Sequence, residues 1–259
     1  MYQYIGITGF QEHREVEELL RIHNGVKPHL SECRLHVGIM VDHQSLHSSG
    51  KIHQSNFPKK SIFPEIFAQY DTYNCLHYVG RSRGKESLRE NIASALHHAG
   101  DNVHGLQLDV VSPDPSDIEV GIESYKDTRP DLEVILQVGA SLLREVKKEP
   151  RKLVQLLEDY TNCVDRILLD GSMGRGIPLV ADELIPLLAL IKKEHPHFGL
   201  VVAGGLGPKT IPLIQPIIAE FPDVSIDAER LLHIDEDPHK FLHMVNCSEY
   251  IRAASQLIS

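Results

Sequence analysis

Short apolar segments alternate with longer amphipathic segments along the whole chain. Runs of roughly four to eight apolar residues predict buried strands, and segments with apolar residues at every third or fourth position predict helices. In the clearest example, the apolar residues 200–203 are followed by Gly204 and Gly205, and Pro208 then opens a new periodic segment. This order predicts a strand, a tight turn and a helix, because proline is tolerated in the first turn of a helix.

The same strand and helix unit recurs eight times with no linker between units. Eight units in 259 residues favour one domain, a closed (β/α)8 barrel that spans residues 1–259. An open doubly wound sheet is the alternative, although no G-x-G-x-x-G motif follows the first strand. The predicted strands are residues 2–9, 34–42, 74–80, 103–109, 132–139, 165–170, 200–203 and 224–229. The predicted helices include residues 11–23, 64–70, 84–99, 113–125, 141–160, 180–193 and 239–257.

Composition and charge exclude several classes of partner. The net charge of −10 argues against nucleic acid, because phosphate backbones select basic surfaces. The apolar runs are too short to cross a bilayer and Met1 is not followed by a signal-like segment, so we expect a cytoplasmic protein without a membrane partner. The four cysteines are widely separated with no C-x-x-C pair, which predicts reduced thiols and no zinc-finger site.

Two aspartates are the candidate catalytic pair. In a (β/α)8 barrel the functional side chains lie at the carboxyl ends of the strands, and Asp109 and Asp170 each end an apolar strand. Burial could hold one carboxyl as a general acid while the other acts as a base. Either aspartate could instead cap the turn or helix that follows it. Other residues at strand ends or in the following loops are candidates for substrate binding, namely Arg81, Gln107, Gln137, Gly174 and Asp227.

The glycine pair after the seventh strand is a candidate phosphate site. Gly204 and Gly205 allow the backbone to approach a ligand closely, and amides at such a turn favour an anion. The same glycines could equally serve only the geometry of the turn. The predicted ligand is therefore a small phosphorylated molecule, and the sequence predicts no cofactor.

A long polar connection at about residues 43–63 is typical of a lid or a binding loop. It brings Asp42, His43, His47 and His53 together in the sequence, and such side chains can bind a divalent transition metal. Their spacing matches no ligand pattern, so no metal is predicted, and a metal-dependent hydrolase is kept only as an alternative function.

Several short motifs together resemble phosphoribosylanthranilate isomerase, one of the ribulose-phosphate-binding barrels. The motifs are Gly6-Ile-Thr8, Leu106-Gln-Leu108, Ile167-Leu-Leu-Asp170 with its glycine-rich loop, Ala203-Gly-Gly-Leu-Gly-Pro208 and Val224-Ser-Ile-Asp-Ala228, together with the basic segment 57–65. The resemblance implies an Amadori-type isomerisation of an aminoaldose phosphate, with Asp170 in the position of the general acid.

The resemblance also shows two departures. The family's general base is a cysteine directly before Gly-Ile-Thr, and that position is Ile5 in this chain, which cannot accept a proton. The family's phosphate-binding Ser-Gly turn after the last strand is replaced by Ala228, Glu229 and Arg230, where Arg230 could bind the anion as a two-pronged fork. A phosphate-binding barrel that has lost isomerase activity is therefore a further alternative.

Overall fold

The computed structural model describes residues 1–26, 33–47, 57–69, 71–80, 87–146, 149–172, 175–233 and 241–258. Eight parallel strands close into one barrel in chain order, and the first strand pairs with both the second and the eighth. The predicted (β/α)8 barrel is confirmed. The strands are β1 (Tyr4–Thr8), β2 (Arg34–Val41), β3 (Thr72–Val79), β4 (Gly105–Asp109), β5 (Glu133–Gly139), β6 (Arg166–Asp170), β7 (Gly199–Ala203) and β8 (Ser225–Ala228).

Helices follow the strands around the outside of the barrel. Two of them begin at side-chain caps that the sequence contains, because Ser87 accepts the Glu90 amide and Asp114 accepts the Ser116 amide. The α-helices of the described residues are α1 (His13–Val26), α2 (His43–His47), α3 (Phe63–Ile66), α4 (Leu88–Ala99), α5 (Pro115–Lys126), α6 (Ala140–Val146), α7 (Arg151–Glu158), α8 (Ala181–Glu194), α9 (Gln215–Glu220) and α10 (Met244–Ile258). Short 3-10 turns cover Lys60–Ile62, Ile211–Ile214 and Arg230–Leu232.

The helix predicted from Pro208 does not begin there. The chain first makes a turn and the 3-10 segment, and α9 follows only at Gln215. The Thr210 hydroxyl donates a hydrogen bond to the Gly205 carbonyl (2.6 Å), and this bond holds the turn in place of a regular helix. Pro212 and Pro216 each lack an N–H and are best tolerated in the first turn of a helix, and each occupies the first turn of its own short element.

Two other predicted segments differ from the structure. The single helix expected over residues 141–160 is two helices, α6 and α7, and Pro150 disfavours helical backbone in the residue before it. The connection at 43–63 contains α2 at its start and a 3-10 turn near its end, while residues 48–56 lie outside the described residues.

The strands are buried on both faces, which explains why they read as continuous apolar runs in the sequence. Their outward side chains pack against the helices in one large cluster. Their inward side chains form a smaller cluster inside the barrel that consists of Tyr4, Tyr73, Cys75, Ile135, Leu168, Val201 and Ala203. All four cysteines are buried free thiols. Among the described residues, no helix combines the length and apolar character that crossing a membrane requires.

An ion pair fills the amino-terminal end of the barrel interior. Arg166 opens β6 and is 2 % exposed, and its Nε donates to Glu133 (2.7 Å) at the start of β5. The same guanidinium donates to the Tyr2 carbonyl (2.7 Å) and to Ser225 Oγ (3.3 Å). Glu133 also accepts the Tyr73 hydroxyl (2.7 Å). These bonds compensate the cost of burying a charge at this end of the barrel.

Glu133→Leu should therefore destabilise the protein strongly, because it leaves the Arg166 charge buried without its counter-charge. The expected loss in the free energy of unfolding is roughly 3–5 kcal/mol, measured by chemical denaturation. Asp131→Asn, which breaks the exposed Arg129–Asp131 pair, is the matched control and should cost less than about 1 kcal/mol. A Glu133 variant no less stable than this control would contradict the assignment.

Candidate functional site

The carboxyl ends of the strands carry a buried carboxyl group at Asp227, the third residue of β8. It is 5 % exposed, and the Thr8 hydroxyl at the end of β1 donates to its two oxygens at 3.1 Å each. The two residues lie 219 positions apart in the chain and meet because β1 pairs with β8. Closure of the barrel therefore creates this contact.

Two glycines make room for the contact. A Cβ atom on Gly6 would lie 2.7 Å from Asp227 Oδ1 and 2.7 Å from the Ile226 carbonyl oxygen. A Cβ atom on Gly38 would overlap the Thr8 hydroxyl. The strands carry glycine here because the carboxyl and the hydroxyl occupy the space that side chains would otherwise fill.

Burial raises the pKa of Asp227 from 3.8 to about 7. The Thr8 hydrogen bond and the Ala228 amide oppose this rise in pKa, while the charges of Glu229 and Asp170 add to it. Asp227 can therefore both take and give a proton near neutral pH.

His36 lies beside Asp227 inside the barrel. Its ring stacks against those of Tyr4 and Tyr73, at centroid distances of 4.7 and 5.7 Å, and the two tyrosine rings also stack on each other at 5.1 Å. Burial lowers the pKa of His36 to about 3, with contributions from His77 and Arg166, so the ring is neutral. Its Nδ1 is 3.9 Å from Asp227 Oδ1, which is too long for a hydrogen bond, and the contact is not an ion pair.

Asp170 ends β6 and is held by two hydrogen bonds. Its Oδ1 accepts the Ser172 amide (2.7 Å), and its Oδ2 accepts the Gln137 side-chain amide (3.3 Å). Gln137 in turn accepts the Gln107 side-chain amide (2.9 Å). Gln107 Nε2 lies 3.4 Å from the ring nitrogens of His77, whose pKa burial lowers to about 4. A chain of polar side chains thus runs from β3 to β6 across the mouth of the barrel, the end formed by the carboxyl ends of the strands.

The two carboxyl groups flank one small residue. In the strand register Asp170 pairs with Ala203, and Ala203 pairs with Asp227. Asp170 is buried like Asp227, and its charge contributes to the raised pKa of Asp227. Asp170 and Asp227 therefore lie on one rung of the barrel, that is, at the same level on two strands that only β7 separates.

Asp109 occupies a different part of the mouth. It ends β4, its carbonyl accepts the Gly80 amide (3.0 Å), and its side chain lines a cavity between the ends of β4 and β5. Gln137 lines the same cavity and reaches Asp170 from there. Asp109 thus lies on the β4 and β5 side of the mouth, and Gln137 connects that side to Asp170.

Gly204 and Gly205 form the turn after β7 with φ angles of 120° and 54°, which favour glycine. A Cβ atom on Gly205 would lie 2.5 Å from the Ile177 carbonyl group, and the Gly204 carbonyl accepts the Leu179 amide (3.1 Å). The loop after β6 therefore packs directly onto this turn. The turn geometry and this packing both require glycine, whether or not the turn binds a ligand.

Arg230 follows β8 and packs its aliphatic stem near Gly176 in the loop after β6. Among the described residues, the guanidinium Nη1 is buried without a hydrogen-bond partner. The Ala228 side chain lies in the outer core, and its amide stabilises the Asp227 carboxylate. Within the described part of this region, Arg230 thus has a donor that an anion can use.

The histidines of the 43–63 connection meet an amide. His43 Nδ1 and His47 Nε2 lie 3.0 and 2.9 Å from the same oxygen of Asn91, and Asp42 caps α2 through the Ser45 amide. In the described ranges, no group of three or more potential metal-binding side chains comes together. His53, Arg81 and Gly174 lie outside the described residues.

The position of the family's catalytic cysteine faces away from the mouth. Ile5 is fully buried in the outer core, while its neighbour Tyr4 belongs to the inner cluster. Successive side chains of a strand point to opposite faces, so position 5 points toward the helices. Ile5 therefore does not reach the mouth, and the side chain from β1 that does so is Thr8.

The sequence pattern did not single out His36 and His77, and it indicated only a binding role for Asp227. The signal in the sequence was their position within the strands. Alternate residues of a strand face the barrel interior, and each of these three lies at an inward position of an apolar strand. Strand period alone would have placed them inside the barrel, but their neighbours depend on the register between strands.

Comparisons with known proteins support the fold and go no further. No protein-family model and no curated protein sequence matches the chain. The solved structures similar to it include monomers of the dimeric phosphoribosylanthranilate isomerase from Thermotoga maritima, with 15% identity, 98% of each chain covered and a TM-score of 0.56. The GH53 catalytic domain of Ignisphaera aggregans has 9% identity over 96% of this chain and 95% of its own, with a TM-score of 0.59. Phospho-2-dehydro-3-deoxyheptonate aldolase of Thermotoga maritima has 15% identity over 98% of this chain and 69% of its own, with a TM-score of 0.52. These proteins share the barrel fold, and a shared fold does not identify the activity of this chain.

The raised pKa of Asp227 predicts a pH-dependent stability. The folded state holds a proton that the unfolded state has lost between pH values near 4 and 7, so stability falls as the pH rises through this window. Relative to Asp227→Asn, the wild-type free energy of unfolding should fall by up to about 4 kcal/mol between these pH values. Denaturation of both proteins across the window measures this difference.

Asp223→Asn is the control, because Asp223 is exposed and bound to Lys192 on the surface. Its stability relative to the wild type should stay nearly constant with pH. A constant difference for Asp227→Asn as well would show that Asp227 has an ordinary pKa.

Proposed function

We propose that this protein is an enzyme that isomerises a phosphorylated sugar derivative by general acid/base catalysis at the barrel mouth. The observation that carries the proposal is the buried Asp227 carboxyl, with its pKa raised to about 7, on one rung with the second carboxyl of Asp170. An aldose-to-ketose isomerisation needs a proton delivered to the ring oxygen and another removed from carbon 2. Two carboxyl groups with different environments meet both needs.

Asp227 is the base in this proposal and Asp170 is the acid. Asp227 takes the proton from carbon 2, because a carboxyl with a pKa near neutrality is a strong enough base and is still partly ionised at pH 7. The Ser172 and Gln137 amides orient the Asp170 carboxyl group. Asp170 acts as the acid after it takes up a proton on Oδ2, the oxygen with the longer 3.3 Å bond to Gln137, and it gives that proton to the ring oxygen as the carbon–oxygen bond of the ring breaks. This assignment replaces the missing cysteine at position 5 with a group from β8.

Asp109, Gln107 and Gln137 bind the substrate on the other side of the mouth. Gln107 Oε1 is buried and has no partner in the part of the chain that the structure describes, so it can accept a hydrogen bond from a substrate hydroxyl or amine. Arg81 and Gly174 complete the proposed substrate-binding set.

The phosphate binds between Arg230 and the turn at Gly204 and Gly205. Support comes from the buried Nη1 of Arg230, which needs a partner, and from the proximity of Arg230 to the loop after β6 that packs on this turn. The charges of Glu229 and Asp170 in this region oppose an anion, so Arg230 has to supply the attraction.

A phosphate-binding barrel without isomerase activity is the second candidate. It is favoured by Ile5, which removes the base of the resembling family, and turnover separates it from the proposal. The metal-dependent hydrolase has less support, because His43 and His47 are directed at Asn91.

Asp227→Asn and Asp170→Asn should each lower turnover by roughly 100- to 10,000-fold, because each removes one proton-transfer group. The assay follows phosphoribosylanthranilate first and other aminoaldose phosphates next. Wild-type kcat/KM should rise with pH up to about 7, the pKa of the proposed base. Asp223→Asn should behave as the wild type. Full activity in either site variant would remove that residue from the mechanism, and wild-type inactivity on every aminoaldose phosphate would favour the binding barrel.

Arg230→Ala should weaken the binding of inorganic phosphate by roughly 10- to 100-fold, the value of a hydrogen-bonded charged group. Isothermal calorimetry at low ionic strength measures the dissociation constant, and Arg175→Ala is the control, since Arg175 is exposed in the loop after β6. A crystal soaked in sulfate should hold the ion beside Gly204, Gly205 and Arg230. Equal phosphate affinity in the two variants would contradict the phosphate site.

A further inference from the structure

The His36 ring and the Asp227 carboxyl group meet across a strand position that has no side chain. In the register of β1 with its two neighbours, Gly6 pairs with Asp227 on one side and with His36 on the other. A Cβ atom on Gly6 would lie 2.7 Å from Asp227 Oδ1, so this oxygen occupies the space that a side chain would fill. His36 and Asp227 therefore face each other inside the barrel although β1 lies between their strands.

Both ring nitrogens of His36 are buried without a hydrogen-bond partner in the part of the chain that the structure describes. The residue is 0 % exposed, and an unsatisfied polar atom in such a place costs stability. An apolar side chain could pack against Tyr4 and Tyr73 without that cost. Packing alone therefore does not explain why this position carries a histidine.

Asp227 Oδ1 is the side-chain acceptor that faces the ring. It lies 3.9 Å from His36 Nδ1, whereas a hydrogen bond from an N–H to a carboxylate is about 2.7–2.9 Å long. Closing the gap requires a movement of roughly 1 Å. The Ile7 carbonyl also acts on the ring, but a carboxylate attracts an N–H more strongly than a neutral carbonyl does.

The ionised carboxyl group has room for a further donor. The Thr8 hydroxyl lies 3.1 Å from both oxygens of Asp227, but it carries one proton and donates to one oxygen at a time. The Ala228 amide supplies a second bond. An ionised carboxyl group can accept about four hydrogen bonds, so one from His36 can be added to these two.

The ring acts as a neutral donor, because burial lowers the pKa of His36 to about 3. Among the described residues, the other titratable groups around the pair are Tyr4, Tyr73, Cys75, His77, Arg166, Asp170, Glu229 and Tyr250. Burial raises the pKa of the three tyrosines and of Cys75 and lowers the pKa of His77 to about 4, so these groups are uncharged near neutral pH. Glu133 balances the charge of Arg166, while the charges of Asp170 and Glu229 oppose the ionisation of Asp227.

We propose that His36 is a positioning residue for Asp227: its neutral ring donates a hydrogen bond from Nδ1 to Oδ1 when the carboxyl group is ionised, and this bond opens when the carboxyl group takes up a proton on Oδ2. The bond holds Oδ1 toward β2 and leaves Oδ2 to exchange the proton with a substrate. The role of the bond in turnover rests on the proposed function, whereas the bond itself does not.

The bond has a spectroscopic signature in the full-length wild-type protein. We expect 15N NMR to show a neutral His36 ring with its proton on Nδ1, and we expect this proton to move downfield as Asp227 ionises around pH 7. The His36 signal is assigned with His36→Asn, and the Asp227 carboxyl is followed by 13C NMR and assigned with Asp227→Asn. A ring proton on Nε2, or a His36 signal that does not follow the midpoint of Asp227, would overturn the proposal.

Two substitutions separate the donor from the ring. Both His36→Leu and His36→Asn remove the ring, but the asparagine amide can take the place of Nδ1. Because a hydrogen bond to a charged group favours the ionised form, the pKa of Asp227 should rise by about 1 in His36→Leu, a ten-fold loss in its ionisation constant. It should stay near the wild-type value in His36→Asn and in the control Ile135→Val, which alters the inner cluster from β5. The same pKa in the leucine and asparagine variants would overturn the proposal.

The pH dependence of turnover gives a readout that a purely structural role would not move. In His36→Leu the rising limb of kcat/KM should shift by about one pH unit toward higher pH, and His36→Asn should follow the wild type. An equal loss of kcat/KM at every pH in both variants would show that His36 only packs the interior.

The positioning role and the proposed function can fail separately, because NMR measures the pKa of Asp227 without turnover. If Asp227→Asn abolishes turnover while the pKa of Asp227 is the same in all His36 variants, the positioning role is refuted and the enzyme assignment stands. If the pKa follows the donor at position 36 while Asp227→Asn leaves turnover unchanged, the bond stands and the catalytic assignment is refuted.

Discussion

The pairing of β1 with β8 is the constraint on which the rest of the structure depends. It closes the barrel and brings Thr8 to Asp227 across 219 residues of sequence. In an open sheet these strands would be edges and the Asp227 carboxyl would be solvated, with an ordinary pKa. Closure surrounds that carboxyl with the barrel interior, and burial then moves its pKa to about 7.

The interior of the barrel is divided along its axis. Arg166 and Glu133 occupy the amino-terminal end, apolar side chains and the Tyr4, His36 and Tyr73 rings fill the middle, and carboxyl and amide groups occupy the mouth. The ion pair is satisfied by its own neighbours, so its charge is not available to the mouth. The main influences on the Asp227 pKa from the described residues are burial, two hydrogen bonds and two neighbouring carboxylates, with no cation among them, and burial is the largest.

The mouth also differs from side to side. Arg230, after β8, has a buried Nη1 without a hydrogen-bond partner among the described residues, while the cavity between β4 and β5 is lined by Asp109 and Glu145.

The hydrophobic pattern by itself determined the eight strands and the positions of Asp109, Asp170 and Asp227 at strand ends, because the apolar side chains that bury a strand are local in the sequence. The number of strand and helix units favoured a closed barrel but left an open sheet as the alternative, and the structure shows the closed form. It failed at Pro208 and at residues 141–160, where prolines and a side-chain hydrogen bond overrode periodicity. Only the tertiary structure decided that Asp170 shares a rung with Asp227, that Ile5 faces the helices and that Asp227 holds its proton near neutral pH. Register and desolvation are set by residues far apart in the chain, and no local pattern contains them.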